Sequence, residues 1–478
     1  MISSTEMAVV DANAEALGVP RKQLMESAGN AVARAVREIA EPGASVVLVC
    51  GRGNNGGDAF VTARFLSEYD VTVHLLGRAE TITTEIARDN WEALRAAELD
   101  AREISDSAEI DLGEPDAIVD AMLGTGVTGA LREPESTAAE MINDADAPVI
   151  SVDVPSGVDS DTGDREGVAV DADRVVTFHD TKPGLDAIDA AVTVADIGIP
   201  NAAESCVERG DLLRLSRDPT AHKGDFGRVL VIGGGPYTGA PALSAQAALR
   251  AGADLAYVAA PEAVARDIQG YSEDLIVRPF PGDRLEPSDS QQLLTLAAEM
   301  DCVVFGPGLG DAPETLEAVS SFLSSFSGVA VVDADALQVV PGIDTDATLV
   351  CTPHQGELQK MGGETADDWR ERADLVEAFA AEIGSTVLVK GAYDVISDGD
   401  RTRINRTGNP GMTVGGTGDV LAGATGAMAC VLDPLAAASL GAYANGRAGD
   451  LVVEENGYGL VATDLLDALP RALWPEAD

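Results

Sequence analysis

This chain predicts an α/β fold, with two domains that are each built on a largely parallel sheet. Three observations carry the prediction. Short apolar runs alternate with helix-period stretches along the chain, as parallel strands joined by crossover helices require. At 478 residues the chain is too long for one ordinary domain. It also holds 50 glycines, which suits many strand-to-helix turns and close backbone approaches.

Residues 4–41 read as helices, with LMESAGNAVARAVREIA amphipathic at helical spacing. Strand candidates follow at residues 45–50 (SVVLVC), 71–76, 117–122, 149–154, 174–178 and 191–194. A polar stretch, RLSRDPTAHKGD at 214–225, then interrupts the pattern. The expected domains are therefore residues 1–214 and 215–478. In the second, strands are expected at 228–232, 254–258, 302–305, 329–333, 348–352 and 386–390. Helices are expected at 419–454 and 463–472.

Apolar residues make up 45% of the chain and aromatics only 4%, so the cores must rely on Ala, Val, Leu and Ile. Thirty-two Lys and Arg stand against 80 Asp and Glu, a formal net charge of −48. Lysine occurs only at Lys22, Lys182, Lys223, Lys360 and Lys390. The acid is spread along the whole chain, which fits a very salty cytoplasm rather than an acidic tail. It argues against nucleic acid and anionic membranes as partners. Cys50, Cys206, Cys302, Cys351 and Cys430 are scattered and are expected as buried free thiols. With no apolar leader and no run of membrane-spanning length, a cytoplasmic location is expected.

The richest chemical signal is GNPGMTVGGTGDVLAG at residues 408–423. Gly415, Gly416 and Gly418 leave backbone N–H groups uncovered, and a helix starting near Thr417 would aim its unpaired N–H groups at the same spot. That arrangement suits a phosphate. A carboxylate there, Asp419, would repel a phosphate, so its use is to take a proton from a hydroxyl attacking that phosphate. A helix-capping Asp in a tight turn is the alternative.

Other strand ends of the second half carry further candidates. They are GGG at 233–235, Gly306-Pro307-Gly308-Leu309-Gly310, Asp333 with Asp335, and Thr352-Pro353-His354-Gln355-Gly356-Glu357. Small residues in the helix after Gly235 would let a flat substrate lie against it. His354 is expected at a ligand. Glu357 and Asp335 could orient the waters of Mg²⁺ around phosphates. Lys390 ends an apolar strand in a lysine-poor chain, which points to a nucleotide phosphate.

In the first half, GRGNNGGDAF at 51–60 follows a buried strand, where α/β sheets bind ligands. Gly51, Gly53, Gly56 and Gly57 would let the backbone approach a ligand, with Asn54, Asn55 and Asp58 supplying oxygens. DAMLGTG at 120–126 and SVDVPSGVD at 151–159 end later strands. Asp120, Asn55 and Ser156 form an all-oxygen set for a cation of low charge density. Asp153 is a candidate acid/base.

These motifs support a resemblance. GRGNNGGDAF, DAMLGTG and VDVPSGVD resemble the NAD(P)H-hydrate epimerase domain, which is Rossmann-like. KGDFGRVLVIGG, GPGLG, VDADAL, TPHQGE, LVKG and the 408–423 element resemble the ADP-dependent NAD(P)H-hydrate dehydratase branch of ribokinase-like enzymes. The resemblance implies two three-layer α/β domains that together repair hydrated NADH and NADPH. One domain would epimerise the R and S forms, and the other would dehydrate the S form using ADP, giving AMP and phosphate.

It also implies sites. Potassium would be held by Asn55, Asp120 and Ser156. The hydrated nucleotide would contact Asn54, Asn55, Gly56, Gly57, Asp58, Gly124, Thr125, Gly126, Val127, Thr128, Gly129, Ala130 and Asp153. In the second domain it would meet Ala253, Gly308, Gly310, His354 and Asp419. The adenine nucleotide, with Mg²⁺, would meet Lys390, Gly391, Ala392, Tyr393, Asp394 and Gly418. Tyr393-Asp394 stands where a small residue and Thr are expected, which puts the Asp394 contact in question. Partners are the small-molecule substrates, and a homo-oligomer is expected. A vitamin kinase of hydroxyethylthiazole or pyridoxine type, with an accessory domain, is the rival reading; it leaves GRGNNGGD unexplained.

The charge yields a first prediction. Because salt screens self-repulsion over about 10 Å or less, the thermal midpoint should rise from dilute buffer to molar KCl. Equal midpoints would contradict salt adaptation.

Overall fold

A computed structural model describes residues 1–126 and 129–475. The chain divides into two compact units, Met1–Ala203 and Glu204–Asp478. This division lies upstream of the boundary expected at 214/215. The reason is local: the strand Cys206–Val207 joins the second unit's sheet, and buried Asp211 is ion-paired to Arg403 at 2.9 Å. The polar stretch at 214–225 therefore lies inside the second unit.

The first unit has seven strands: β1 (Ser45–Cys50), β2 (Asp70–Leu76), β3 (Asp100–Ile104), β4 (Ala117–Ala121), β5 (Val149–Val152), β6 (Arg174–Phe178) and β7 (Ala191–Ala195). All pairs are parallel, in the order β3-β2-β1-β4-β5-β6-β7. The continuous apolar run of β1 reflects cover on both faces. Val46, Leu48 and Cys50 pack with the helices Arg21–Ile39, Asn54–Phe65 and Glu85–Ala96. Val47 and Val49 pack on the other face with Ala138, Ala139 and Ile142 of the helix Glu135–Asn143. The chain winds one way from β1 and then restarts on its other side at β4. That switch opens a crevice at the carboxyl ends of β1 and β4.

The second unit repeats this logic on a ten-stranded sheet. Its strands are β8 (Cys206–Val207), β9 (Arg228–Ile232), β10 (Leu255–Pro261), β11 (Ile276–Phe280), β12 (Cys302–Phe305), β13 (Val329–Val332), β14 (Thr348–Cys351), β15 (Thr386–Val389), β16 (Asp394–Ser397) and β17 (Thr402–Asn405). The order is β11-β10-β9-β12-β13-β14-β15-β16-β17-β8, with the switch point between β9 and β12. The strands are parallel as far as β15; β15, β16 and β17 then pair antiparallel.

One face is covered by the helices Gly239–Arg250, Thr417–Ala429, Pro434–Asn456 and Ala462–Leu473. On the other, Phe305 meets Phe322 edge-on at 5.0 Å between ring centroids. The helix expected over 419–454 is two helices, because Asp433 and Pro434 end one and start the next; the Asp433 side chain caps the second.

Of the small residues after Gly235, those beyond Pro241 serve packing. Ala242, Ser244 and Ala245 are buried, and a Cβ on Gly423 would stand 1.9 Å from the Ser244 carbonyl oxygen, so two helices touch backbone to backbone there. Four cysteines are buried and Cys430 is partly so, all as free thiols. Among the described residues, no helix is long and apolar enough to cross a membrane.

Candidate functional sites

Each unit gathers its candidate residues at the carboxyl ends of its strands. In the first unit a cavity of about 580 Å³ lies there, lined in part by Asn54, Asn55, Asp58, Gly124, Thr125, Gly126 and Asp153. Asn54 accepts a hydrogen bond from Thr84 Oγ1 at 2.8 Å, and Asn55 Nδ2 donates to the Leu123 carbonyl at 2.9 Å. Gly51 and Gly56 do not serve ligand approach as expected. Added Cβ atoms would stand 1.8 Å from Met122 O and 2.1 Å from Gly51 O, so these glycines let the chain touch itself. Gly56 and Gly57 are buried behind the wall, with Gly57 against Met25. Gly129 and Ala130 face Glu166 and Gly167, and Gly129 lines a smaller neighbouring cavity. Val127 and Thr128 lie outside the described residues.

Asp120, Ser156 and Asn55 do converge. Asp120 is fully buried and accepts from Ser151 Oγ (2.8 Å), Ser156 N (2.9 Å), Ser156 Oγ (2.6 Å) and Met122 N (3.3 Å). Burial pushes its carboxyl above the ordinary range despite these bonds. Ser156 Oγ accepts from Leu123 N (3.0 Å), and Asn55 holds the carbonyl of that same Leu123.

Asp153 departs from ordinary backbone geometry, with φ +65. Its side chain meets Lys182, a fully buried lysine that sequence reasoning left unassigned. Lys182 Nζ is 2.8 Å from Asp153 Oδ1 and donates to Thr177 Oγ1 (3.0 Å) and the Phe178 carbonyl (2.9 Å). Three more acids line the cavity, Asp58, Asp11 and Glu135. Burial, with Asp153 and Asp11 nearby, raises Asp58 well above the carboxylate range. Asp11, also missed, is pushed up to about 6, mainly by burial and partly by Asp153. The available signal for Lys182 was its rarity, one lysine of five.

In the second unit the helix Thr417–Ala429 starts at the expected residue, after Gly416 in the left-handed region (φ +97). Asp419 sits in its first turn. Burial foremost, then Asp333 and Glu357, push its carboxyl up to about 7, while Lys390 opposes the shift. Lys390 Nζ lies 2.9 Å from Asp333 Oδ1 and 3.8 Å from Glu357 Oε2, and a Cβ on Gly418 would come within 3.4 Å of it. Asp333, at the end of β13, also accepts from Thr352 Oγ1 at 2.8 Å. Asp335 is engaged instead by Gln338 at 3.3 Å.

His354 caps the helix Gln355–Lys360. Its Nδ1 accepts from the N–H groups of Gly356 (3.0 Å) and Glu357 (3.1 Å), leaving Nε2 as the protonated nitrogen, 3.6 Å from Glu357 Oε1. Gly308 and Gly310, both left-handed, follow β12 and approach Tyr237 O and Pro236 of the loop after β9. Asp394 turns inward, accepting from Gly391 N and Asn405 Nδ2, each at 2.9 Å. Ala253 is not brought to this group. It is buried just before the amino-terminal end of β10, across the sheet from the others. Among the described residues, no three His, Cys, Asp or Glu side chains form a metal-holding set.

A family model described as NAD(P)H-hydrate dehydratase matches residues 229–471, and one described as YjeF-related protein N-terminus matches 21–184. The bifunctional NAD(P)H-hydrate repair enzyme of Methanothermobacter thermautotrophicus is 45% identical over 99% of this chain and 96% of its own length. The chain belongs to the family of bifunctional NAD(P)H-hydrate repair enzymes. The relative of the same name from Pyrobaculum aerophilum is 44% identical over 99% of this chain and 98% of its own. Among solved structures, the ADP/ATP-dependent NAD(P)H-hydrate dehydratase from Bacillus subtilis, co-crystallised with ATP/Mg²⁺, is 26% identical. It covers 55% of this chain and 95% of that one, with a TM-score of 0.48. The protein is thus an enzyme of NAD(P)H-hydrate repair, with one domain of the dehydratase family and one of the epimerase family.

The half-buried Asp419 carries a second prediction, on stability. Its folded pKa of about 7 lies above the ordinary unfolded value near 4, so its favourable contribution is present below about pH 4 and is lost as pH rises to about 7. Asp419→Asn should remove that loss. Urea unfolding of wild type and variant should diverge in favour of the variant between about pH 4 and 7, and parallel profiles would contradict the shift.

Proposed function

We propose that the second unit dehydrates hydrated NADH or NADPH with Asp419 as the general base. The observation that carries this is a carboxylate poised at about 7 in the first turn of a helix led by glycines, beside a lysine. Asp419 takes the proton of the ring hydroxyl, whose oxygen attacks the terminal phosphoryl group of ADP and releases AMP. The amides of residues 415–418 and Lys390 face the charge that develops. The phosphorylated oxygen then leaves as phosphate, pushed by electrons from the ring nitrogen, and loss of a proton from the adjacent ring carbon restores the dihydropyridine. Gly308 and Gly310 shape the rim where the hydrate enters, with His354 capping beside it.

The residues present fit Mg²⁺ delivered with the nucleotide. Asp333, Glu357 and Asp419 set three carboxylates around Lys390, and Mg²⁺ is commonly held by one or two carboxylates plus substrate phosphates. It would neutralise phosphate charge there.

The first unit would interconvert the hydrate's epimers, with Asp153 as acid/base and Lys182 setting an opposite charge against it. Asn54, Asn55, Asp58 and residues 124–126 would line the hydrated nucleotide. Asp120, Ser156 and Asn55 suit potassium: the donor set is all oxygen, and burial holds the Asp120 charge at a cost that a monovalent cation would relieve. The charge of −48 supports a salt-rich cytoplasmic setting.

The test is recovery of the NADH absorbance band from an epimer mixture with ADP in high KCl. Asp419→Asn should abolish recovery while epimerisation continues. Asp153→Asn should leave roughly half of the mixture unrepaired, by stereochemistry, where spontaneous epimerisation is slow. Full recovery by either variant would overturn its assignment.

A further inference from the structure

The turn that follows Lys390 carries an aromatic feature that the proposed chemistry leaves unused. Tyr393 stacks on Trp369, with ring centroids 5.5 Å apart and planes at 27°. The guanidinium of Arg370 lies over the Trp369 ring at 4.3 Å. Tyr393 nevertheless keeps 39% of its surface exposed. In a chain whose aromatic content is 4%, an exposed, stacked pair on a site loop is an unusual placement.

The loop holding Tyr393 is locked. Buried Arg372 donates from Nη2 to the Tyr393 carbonyl at 3.0 Å and from Nη1 to the Ala366 carbonyl at 3.0 Å. Asp394 ties the Gly391 N–H to Asn405 in β17, each bond 2.9 Å. The ring therefore stands on a turn whose shape is set before any ligand arrives, which lowers the entropy cost of binding. Tyr393 lies three positions after Lys390, so their Cα atoms lie within about 10 Å. A ribose and diphosphate can bridge that span.

We propose that Tyr393, backed by Trp369, is the platform on which the adenine ring of the phosphoryl donor stacks. The proposal rests on the reading that puts the donor's phosphates at Lys390 and Gly418. Stacking a base on an aromatic ring recognises its face rather than its edge, and a purine overlaps more of that face than a pyrimidine does. The platform sets donor choice and leaves the phosphoryl chemistry to Lys390 and Asp419. Both the donor and the hydrated dinucleotide carry adenine; the short reach from Lys390 assigns the ring to the donor's.

The experiment is steady-state dehydration by Tyr393→Ala, with ADP and hydrate varied in turn. KM for ADP should rise about tenfold or more, with kcat within about twofold and KM for the hydrate unchanged. Tyr393→Phe should restore the wild-type value. In a parallel titration without hydrate, ADP should quench the fluorescence of Trp369, one of three tryptophans, and Trp369→Phe should remove that quench. A rise in KM for the hydrate instead would assign the platform to the dinucleotide and overturn the proposal. Unchanged KM for both, in a variant with wild-type thermal unfolding, would overturn it as well. Lys390→Ala separates the two levels. If it weakens ADP while Tyr393→Ala does not, only the platform falls. If Lys390→Ala leaves ADP binding intact, the reading of the donor site falls.

Discussion

Surplus carboxylate gathered around one buried or half-buried lysine is the constraint on which both sites depend. In the second unit Lys390 faces Asp333, Glu357 and Asp419. Burial alone would favour a neutral lysine, yet the acids hold its pKa above the ordinary value. In return, Asp419 is the acid left without an adequate partner, and its affinity for a proton climbs to about 7. In the first unit Lys182 meets Asp153 while Asp58 and Asp11 crowd the same cavity and rise. A chain with five lysines spends two of them this way.

The fold makes these groupings by one device used twice. Parallel strands that reverse their winding direction leave a crevice at their carboxyl ends. Every strand that borders it then delivers a loop to the same level. Asp120, Asp153 and the Asn54–Phe65 helix arrive so in the first unit; Gly308, Asp333, His354 and Lys390 do in the second. The residues are far apart in sequence, and sheet register alone brings them into contact. Some glycines at these loops let the chain touch itself, as Gly51 against Met122 and Gly306 against Asp333 show.

Much of this was legible in the sequence. Buried parallel strands are continuous apolar runs, so β1, β9 and β12 were placed to the residue. β3 (DAREI) was missed because a charged edge strand lacks that run, and β16 and β17 (TRIN) because four-residue antiparallel strands add too little periodicity. Asp419, Lys390 and Asp120 stood out through their motifs. Lys182 and Asp11 did not, because their importance lies in a contact made across the fold. His354 shows the converse: its motif was visible, but only the structure reveals that Nδ1 is committed to a helix cap.

The central claim is that the hydrate's own oxygen becomes part of the departing phosphate. Hydrated NADH labelled with ¹⁸O at the ring hydroxyl, turned over once with unlabelled ADP, tests it directly. The label should appear in inorganic phosphate and be absent from water. Label released to water, with unlabelled phosphate, would mean that Asp419 does not prepare that hydroxyl to attack.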